Sequence, residues 1–245
     1  MFPEIHVLNI CIPMYPLCVA IGFFVSTVVL DKLSVKIGLS EKEVFPLMCF
    51  IEVSTIIGGK LFFLLINFDK VGDIFYKYGI IGVITKTGFV FYGALIFGIF
   101  SCFLFSQIYK INKTTTFSAA LLITPLIHSF GRIGCFCAGC CYGIKYTGLF
   151  SIRMQGVYRF PVQLLEAFLN LIIFLLLLQL SNRNKKLITP CYFLFYGILR
   201  LITEQLRGDV LRGFIGVMSI SSYISILLII LGILFCFIQE KNKKG

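Results

Sequence analysis

Four polar side chains recur on one face of an apolar stretch in the last quarter of the sequence. They are Tyr196, Arg200, Glu204 and Arg207. Their intervals of four, four and three residues place them on one side of an α-helix. Arg200 and Glu204 can pair, and two arginines around one acid leave excess positive charge, which favours an anionic ligand such as phosphate. The alternative is an internal ion pair that only locks two helices together.

The segment 128–143, HSFGRIGCFCAGCCYG, is a second candidate for an anion site. His128 lies four residues before Arg132, one helical turn away. We expect Arg132 to lead into a glycine-rich turn, where the guanidinium and backbone N–H groups hold a phosphate together. The glycines that allow this close approach are Gly131, Gly134, Gly139 and Gly143.

Four of the ten cysteines fall in the same segment, at Cys135, Cys137, Cys140 and Cys141. A zinc or iron–sulfur site is one interpretation of the C-x-x-C spacing. Structural zinc sites use two separated pairs or add histidines, and adjacent cysteines fit this pattern poorly. We therefore predict no metal, and small buried thiols or a disulfide instead.

Three shorter patterns are weaker signals on their own. Pro161 suits the first position of a helix, and Gln163 and Glu166 then share a face. Tyr92, between Gly88 and Ile96, has the character of an interfacial tyrosine. The third pattern is Gly58-Gly59-Lys60.

The composition says which elements must position these residues. Of the 245 residues 58% are hydrophobic and only 13% charged, too few charges to cover a soluble domain. We predict an all-α, polytopic membrane protein with one transmembrane domain over residues 1–245 and no nucleic-acid partner, despite a net charge of +11. Seven spans are expected, at roughly 10–30, 44–66, 88–109, 117–133, 162–180, 187–206 and 213–239.

The basic residues predict the orientation of these spans. Eleven of 22 lie in alternate short segments, which the positive-inside rule places in the cytoplasm; these segments are 31–43, 110–116, 181–186 and 240–245. The N-terminus is then outside and the C-terminus cytoplasmic. The first span lacks the features of a cleaved signal and is expected to stay as a helix. Segment 71–84 is expected to be an amphipathic arm on the outer interface or an ordinary loop.

Taken in order, these motifs resemble those of the prolipoprotein diacylglyceryl transferase family. Gly58-Gly59-Lys60 resembles its G-G-R/K element, and Phe91–Ile96 its H-G-G-L-I-G element. Gly131–Gly143 resembles its signature G-R-[LI]-G-N-F-x-N-G-E-x-x-G. Pro161–Glu166 is similar to its P-x-Q-L-Y-E, and Tyr196–Arg207 to its Y-G-x-x-R-x-x-x-E-x-x-R. The likeness covers most of the chain.

The resemblance implies a multi-pass enzyme of the bacterial cytoplasmic membrane, with its site toward the extracytoplasmic side. The family transfers a diacylglyceryl group from phosphatidylglycerol to the lipobox cysteine of a lipoprotein precursor, which forms a thioether and releases glycerol 1-phosphate. Arg132 and Arg200 would bind the phosphate. No cofactor is implied. The residues expected to orient these arginines or line the substrate site are Gln163, Glu204, Arg207, Tyr196, Gly134, Gly139 and Gly143.

The sequence also departs from the family pattern. Tyr92 stands at the family's histidine, and Cys135, Ala138 and Cys140 replace two asparagines and a glutamate. The segment before Pro161 is short, which predicts a small extracytoplasmic head. We hypothesise that His128 replaces the missing histidine, and the alternative is that Tyr92 donates a hydrogen bond to the phosphate.

Three other functions remain open from the sequence. The first is the same lipid donor with a different acceptor, such as a small thiol or a glycan. The second is a phospholipid-binding or transport protein without enzymatic activity. The third is a redox protein that uses the cysteines between Cys135 and Cys141.

Overall fold

The computed structural model describes residues 3–7, 10–209 and 213–244. Parts of the predicted outer segments 1–9 and 207–212 therefore lie outside the described residues. In the described part, seven helices are long and apolar enough to cross a membrane, which confirms the predicted all-α, polytopic class. The helices are α1 (Met14–Ile37), α2 (Glu41–Ile66), α3 (Phe68–Lys86), α4 (Phe91–Ile108), α5 (Lys113–Ala138), α6 (Val162–Ser181), α7 (Ile188–Gln205) and α8 (Ile220–Lys244), and α3 is not among the seven.

Three short antiparallel hairpins complete the described part. They are β1 (Glu4–Val7) with β2 (Ile10–Pro13), β3 (Ile152–Met154) with β4 (Val157–Arg159), and β5 (Phe214–Ile215) with β6 (Met218–Ser219). Strand β2 and the last hairpin occupy residues that the sequence assigned to spans. The predicted starts at residues 10 and 213 were wrong, because β-branched and apolar residues favour a strand as readily as a helix.

Helix α5 is longer than predicted and contains most of the expected glycine-rich turn. It continues past residue 133 to Ala138. Gly134 therefore lies in a regular helix, and the prediction of a turn directly after Arg132 was wrong. The helix ends at Gly139, whose φ of 71° is left-handed. The N–H groups of Gly139 and Cys140 bond to the carbonyls of Phe136 and Cys135, the Schellman pattern of a helix C-terminus.

Segment 71–84 is helical, which favours the predicted arm over a plain loop. It lies within α3, where Gly79 adopts φ 63° and interrupts the helix. Tyr76 is 95% exposed and Ile81 72%. Its location at a membrane interface stays a prediction.

The helices fall into two compact units, Met1–Ile37 with Ser118–Gly245, and Gly38–Phe117. In the first unit, Ser129 of α5 donates to the carbonyl of Ala167 on α6 at 2.9 Å. Glycines bring α7 and α8 together, since a Cβ on Gly197 would lie 2.8 Å from the carbonyl oxygen of Ser225. The prediction of one domain over the whole chain stays a prediction.

The second unit contains a close contact between α2 and α4. A Cβ on Gly58 would collide with the carbonyl of Gly93, and a Cβ on Gly93 with the carbonyl of Gly58. The N–H of Val90 bonds to the carbonyl of Gly59 at 3.0 Å, and Lys60 Nζ donates to the carbonyl of Thr87 at 2.7 Å. The Gly58-Gly59-Lys60 element therefore joins α2 to the start of α4.

Candidate active site

Glu166 on α6 is the centre of a buried charge network in the first unit. Its Oε2 lies 2.7 Å from Nε of Arg132 on α5. Its Oε1 lies 2.7 Å from Nη1 of Arg200 on α7 and accepts a hydrogen bond from Thr203 at 2.9 Å. The Glu166 side chain is 2% exposed. One carboxylate thus joins three helices, and each of its oxygens serves one arginine.

Arg200 uses all three of its guanidinium nitrogens for contacts within the protein. Besides Glu166, its Nη2 lies 2.8 Å from Oε2 of Glu204, and its Nε donates to Oγ of Ser221 on α8 at 2.8 Å. The predicted Arg200–Glu204 pair is therefore confirmed. Its side chain is only 12% exposed, so Arg200 is fixed by partners on its own helix and on two others.

Arg132 uses fewer of its guanidinium nitrogens for contacts within the protein than Arg200 does. The closest contact of Arg132 with Glu166 is through Nε, and its Nη1 and Nη2 donate no hydrogen bond to the described residues. The Arg132 side chain is 20% exposed, more than that of Arg200. The two terminal nitrogens of a guanidinium form the fork that binds a phosphate through two parallel hydrogen bonds. Arg132 is thus oriented by one nitrogen and has two left for an anion.

Among the described residues, each of the three arginines at the site has an acidic partner, so the predicted excess of positive charge is not found there. Arg207 forms a two-pronged ion pair with Asp209, at 2.9 Å from Nε and 2.6 Å from Nη2. Three arginines of the site are therefore matched by three acids, Glu166, Glu204 and Asp209. The prediction was wrong because burying an unpaired charge in an apolar environment is costly, so the fold supplies a partner for each.

His128 and Tyr196 lie together beside the arginines. Their ring centroids are 5.3 Å apart, and Tyr196 stacks on Tyr192 at 5.6 Å. His128 is half-buried and close enough to Arg132 and Arg200 to interact with both charges. The structure thus brings the predicted base to the predicted phosphate ligands.

The predicted site glycines occupy structural positions around this network. Gly131 and Gly134 lie in α5, and a Cβ on Gly134 would sit 3.2 Å from the backbone of Tyr15 on α1. Gly139 ends the helix. A Cβ on Gly143 would collide with the carbonyl of Phe160. Gly134 and Gly143 therefore permit a close backbone approach within the protein, and Gly139 supplies a left-handed backbone. Direct contact of these glycines with substrate stays a prediction.

Among the described residues, Gln163 contacts the loop after α5 rather than the arginines. It is completely buried, and its Nε2 donates to the carbonyl of Cys140 at 2.8 Å. Its Oε1 is buried without a hydrogen bond from the described residues. The predicted role of orienting the arginines stays a prediction.

The loop after α5 is held between two other segments. The N–H of Ile144 bonds to the carbonyl of Leu206 at 2.9 Å, and the N–H of Phe160 bonds to the carbonyl of Ile144 at 3.1 Å. The guanidinium of Arg159 lies over the ring of Tyr142, 4.1 Å from its centroid. This small non-helical layer covers the end of the helices at which α5 and α7 finish and α6 begins.

Three of the four clustered cysteines meet next to Arg132. The Sγ atoms of Cys135, Cys140 and Cys141 all lie within 4.8 Å of one another. Hydrogen bonds from Cys135 and Cys140 lower the pKa of the Cys141 thiol, although burial opposes the shift. The positive charges of Arg132 and Arg207 lower this pKa further. All ten cysteines are unbridged.

Tyr92 belongs to the second unit, in the first turn of α4. It is 38% exposed, and its ring meets Phe91 edge-on at 6.0 Å. The alternative that Tyr92 donates a hydrogen bond to phosphate stays a prediction.

The central role of Glu166 was not predicted from the sequence, nor were the contributions of Thr203, Ser221 and Asp209. A usable signal was present for Glu166, because it is the only charged residue of its predicted span. A single carboxylate inside a membrane requires a cationic partner from another helix. Arg132 was the arginine within the predicted spans that had not already been paired with an acid.

Comparison with known proteins places this geometry in a family. A family described as prolipoprotein diacylglyceryl transferase matches residues 4–238. The phosphatidylglycerol–prolipoprotein diacylglyceryl transferase of Clostridium tetani is 30% identical, over 94% of each chain. A second such transferase, from Clostridium perfringens, is 32% identical over 94% of this chain and 92% of its own, and that of Finegoldia magna is 27% identical over 97% and 94%. The chain belongs to the prolipoprotein diacylglyceryl transferase family.

Proposed function

We propose that this protein transfers the diacylglyceryl group of phosphatidylglycerol to the lipobox cysteine of lipoprotein precursors. The names of the similar transferases, which specify both substrates, support this function. The observation that carries the proposal is the arrangement of Arg132, whose Nε lies against Glu166 while Nη1 and Nη2 donate no hydrogen bond to the described residues.

Arg132 binds the lipid phosphate through these two nitrogens. Arg200 acts indirectly and does not bind the phosphate, because its three nitrogens already contact Glu166, Glu204 and Ser221. It holds Glu166 in place, and Glu166 in turn directs Arg132. The two arginines thus divide the role that the sequence assigned to both.

The reaction forms one bond and breaks one. The acceptor sulfur attacks the glyceryl carbon next to the phosphate, a C–S bond forms, the C–O bond breaks, and glycerol 1-phosphate leaves with the electron pair. Negative charge gathers on the leaving phosphate, where a fixed cation such as Arg132 stabilises it. The acceptor thiol must lose its proton to become the nucleophile, and His128 accepts that proton.

The site faces the outside of the bacterial cytoplasmic membrane. The support is the density of basic residues in segments 31–43, 110–116, 181–186 and 240–245. A fluorescent protein fused to the C-terminus is expected to fluoresce in the cytoplasm. Alkaline phosphatase inserted at the exposed Phe150 is expected to be active outside. The reverse pattern would contradict this orientation.

The function is tested with purified protein in phosphatidylglycerol vesicles and a lipobox peptide, followed by mass spectrometry. We expect a peptide that carries a diacylglyceryl thioether, together with glycerol phosphate. Arg132→Ala should abolish both products, whereas Arg183→Ala, at an exposed loop position, should retain them. Release of glycerol phosphate without a peptide adduct would indicate a different acceptor. Binding of the lipid without any product would indicate a non-enzymatic protein.

A further inference from the structure

The three thiols of Cys135, Cys140 and Cys141 form a site that the proposed reaction does not use. Their Sγ atoms lie within 4.8 Å of one another. Cys135 is buried, Cys141 is half-buried and Cys140 is exposed, so the cluster is built into the protein on one side and open to solvent on the other. A disulfide joins only two cysteines, so it would leave the third thiol of this cluster unexplained.

The backbone is shaped so that neighbouring cysteines converge. Cys135 lies in the last turn of α5, and Gly139 reverses the chain with a φ of 71°. Cys141 adopts a φ of 53°, an uncommon conformation for a residue with a side chain. Adjacent cysteines were expected to fit a metal site poorly, and this conformation removes that objection. Cys140 and Cys141 are adjacent, yet both sulfur atoms approach Cys135.

Two arginines lie close enough to the trio for their charges to act on it. Arg132 and Arg207 both act on Cys141 with positive charge. A divalent ion reduces the charge of three thiolates from −3 to −1, which lowers the cost of burying them. The loop that carries Cys140 is fixed by Gln163, whose amide donates to the Cys140 carbonyl.

We propose that Cys135, Cys140 and Cys141 together bind one thiophilic divalent cation of the zinc class. On binding, the three thiols release three protons to water and no electron is transferred. A Zn–S distance of about 2.3 Å implies sulfur atoms about 3.8 Å apart in a tetrahedral site, so the trio contracts only slightly. Three protein ligands leave the fourth position for water or another thiol, the arrangement of catalytic rather than structural zinc sites.

The test measures bound metal directly and so does not depend on the proposed activity. The full chain is purified in detergent under reducing, anaerobic conditions, loaded with Zn²⁺, freed of loosely bound ions and analysed by mass spectrometry for zinc. We expect one ion per chain. Replacement of zinc by Co²⁺ should give the absorption of a thiolate-to-cobalt charge transfer.

Single cysteine-to-serine variants identify which thiols bind the metal. Cys140→Ser, at the exposed position, should lower bound zinc at least tenfold without changing the thermal unfolding of the metal-free protein. Cys137→Ser is the matched control, because it lies in the same segment but outside the trio, and it should bind zinc as the wild type does. The proposal is overturned if zinc binding survives Cys135→Ser, Cys140→Ser and Cys141→Ser alike. It is equally overturned if the zinc-loaded wild type holds a disulfide within the trio.

Discussion

Nε of Arg132 lies 2.7 Å from Oε2 of Glu166, and this single contact sets the direction of the whole guanidinium group. A planar guanidinium that is fixed at Nε can turn only about one axis, so Nη1 and Nη2 are presented together. Such preorganisation matters for a phosphate ligand, because two parallel hydrogen bonds require both nitrogens at once.

We expect Glu166→Gln to damage the protein more than any single change of a surface acid. The amide keeps the shape of the side chain but leaves two buried guanidinium groups without their shared carboxylate. Breaking a buried ion pair in this way costs about 3–5 kcal/mol of stability. Thermal unfolding in detergent measures the effect, and Glu41→Gln, at an exposed position in the first turn of α2, is the control. Equal stability of the two variants would contradict the central role of Glu166.

Arg132→Lys and Arg200→Lys should differ in kind. Lysine at 132 keeps the charge but loses the fork, so we expect kcat/KM to fall about 10- to 100-fold, with stability largely unchanged. Lysine at 200 has one nitrogen for three partners, so the stability itself should fall. Kinetics with phosphatidylglycerol vesicles and thermal unfolding separate the two. If both variants are as stable as the wild type and their kcat/KM falls by the same factor, the different roles assigned to Arg132 and Arg200 are wrong.

His128→Gln is expected to lower kcat about 100-fold, because a general base contributes at least this factor. His6→Gln provides the control, since His6 is the other histidine of the chain and lies exposed in β1. Tyr92→Phe tests the alternative, in which the tyrosine hydroxyl contacts the phosphate. Full activity of His128→Gln together with an inactive Tyr92→Phe would show that Tyr92, and not His128, takes the place of the family's histidine.

Gly93→Ala should destabilise the second unit. The new methyl group would meet the carbonyl of Gly58 and lie 2.6 Å from Cβ of Phe62, and such overpacking costs about 1–3 kcal/mol. Gly72→Ala is the matched helical control, with no atom within 4 Å of its Cβ, and should be neutral or slightly stabilising. Thermal unfolding of the two variants in detergent decides between them. An unchanged Gly93→Ala would show that α2 and α4 can separate at little cost.

The class of the fold was readable from the sequence because long apolar segments dominate it, but the ends of the helices were not. Gly131 and Gly134 look like turn residues, yet Gly134 serves to let α1 pass close to α5. Both uses depend on the missing Cβ, so the sequence cannot distinguish them. The start of α8 failed for a related reason, since Phe214 and Ile215 suit a strand as well as a helix.

The site was partly predictable for a different reason. Local pairs such as Arg200 with Glu204 follow from helical spacing, and this pair is present. The pairing of Arg132 with Glu166 joins residues 34 positions apart, and no local pattern encodes it. The meeting of Cys141 with Cys135 depends on a left-handed backbone at a non-glycine residue, which sequence preferences disfavour.

The contacts of Arg200 also connect positions that lie on four different helices. Ser221 on α8 holds Arg200 on α7, which holds Glu166 on α6, which directs Arg132 on α5. The affinity that we propose for Arg132 toward a lipid phosphate should therefore be thermodynamically linked to a serine hydroxyl three contacts away. The effects of substitutions at Ser221 and Arg132 on lipid affinity should consequently be non-additive in a double-mutant cycle, although the two side chains lie at opposite ends of this series of contacts.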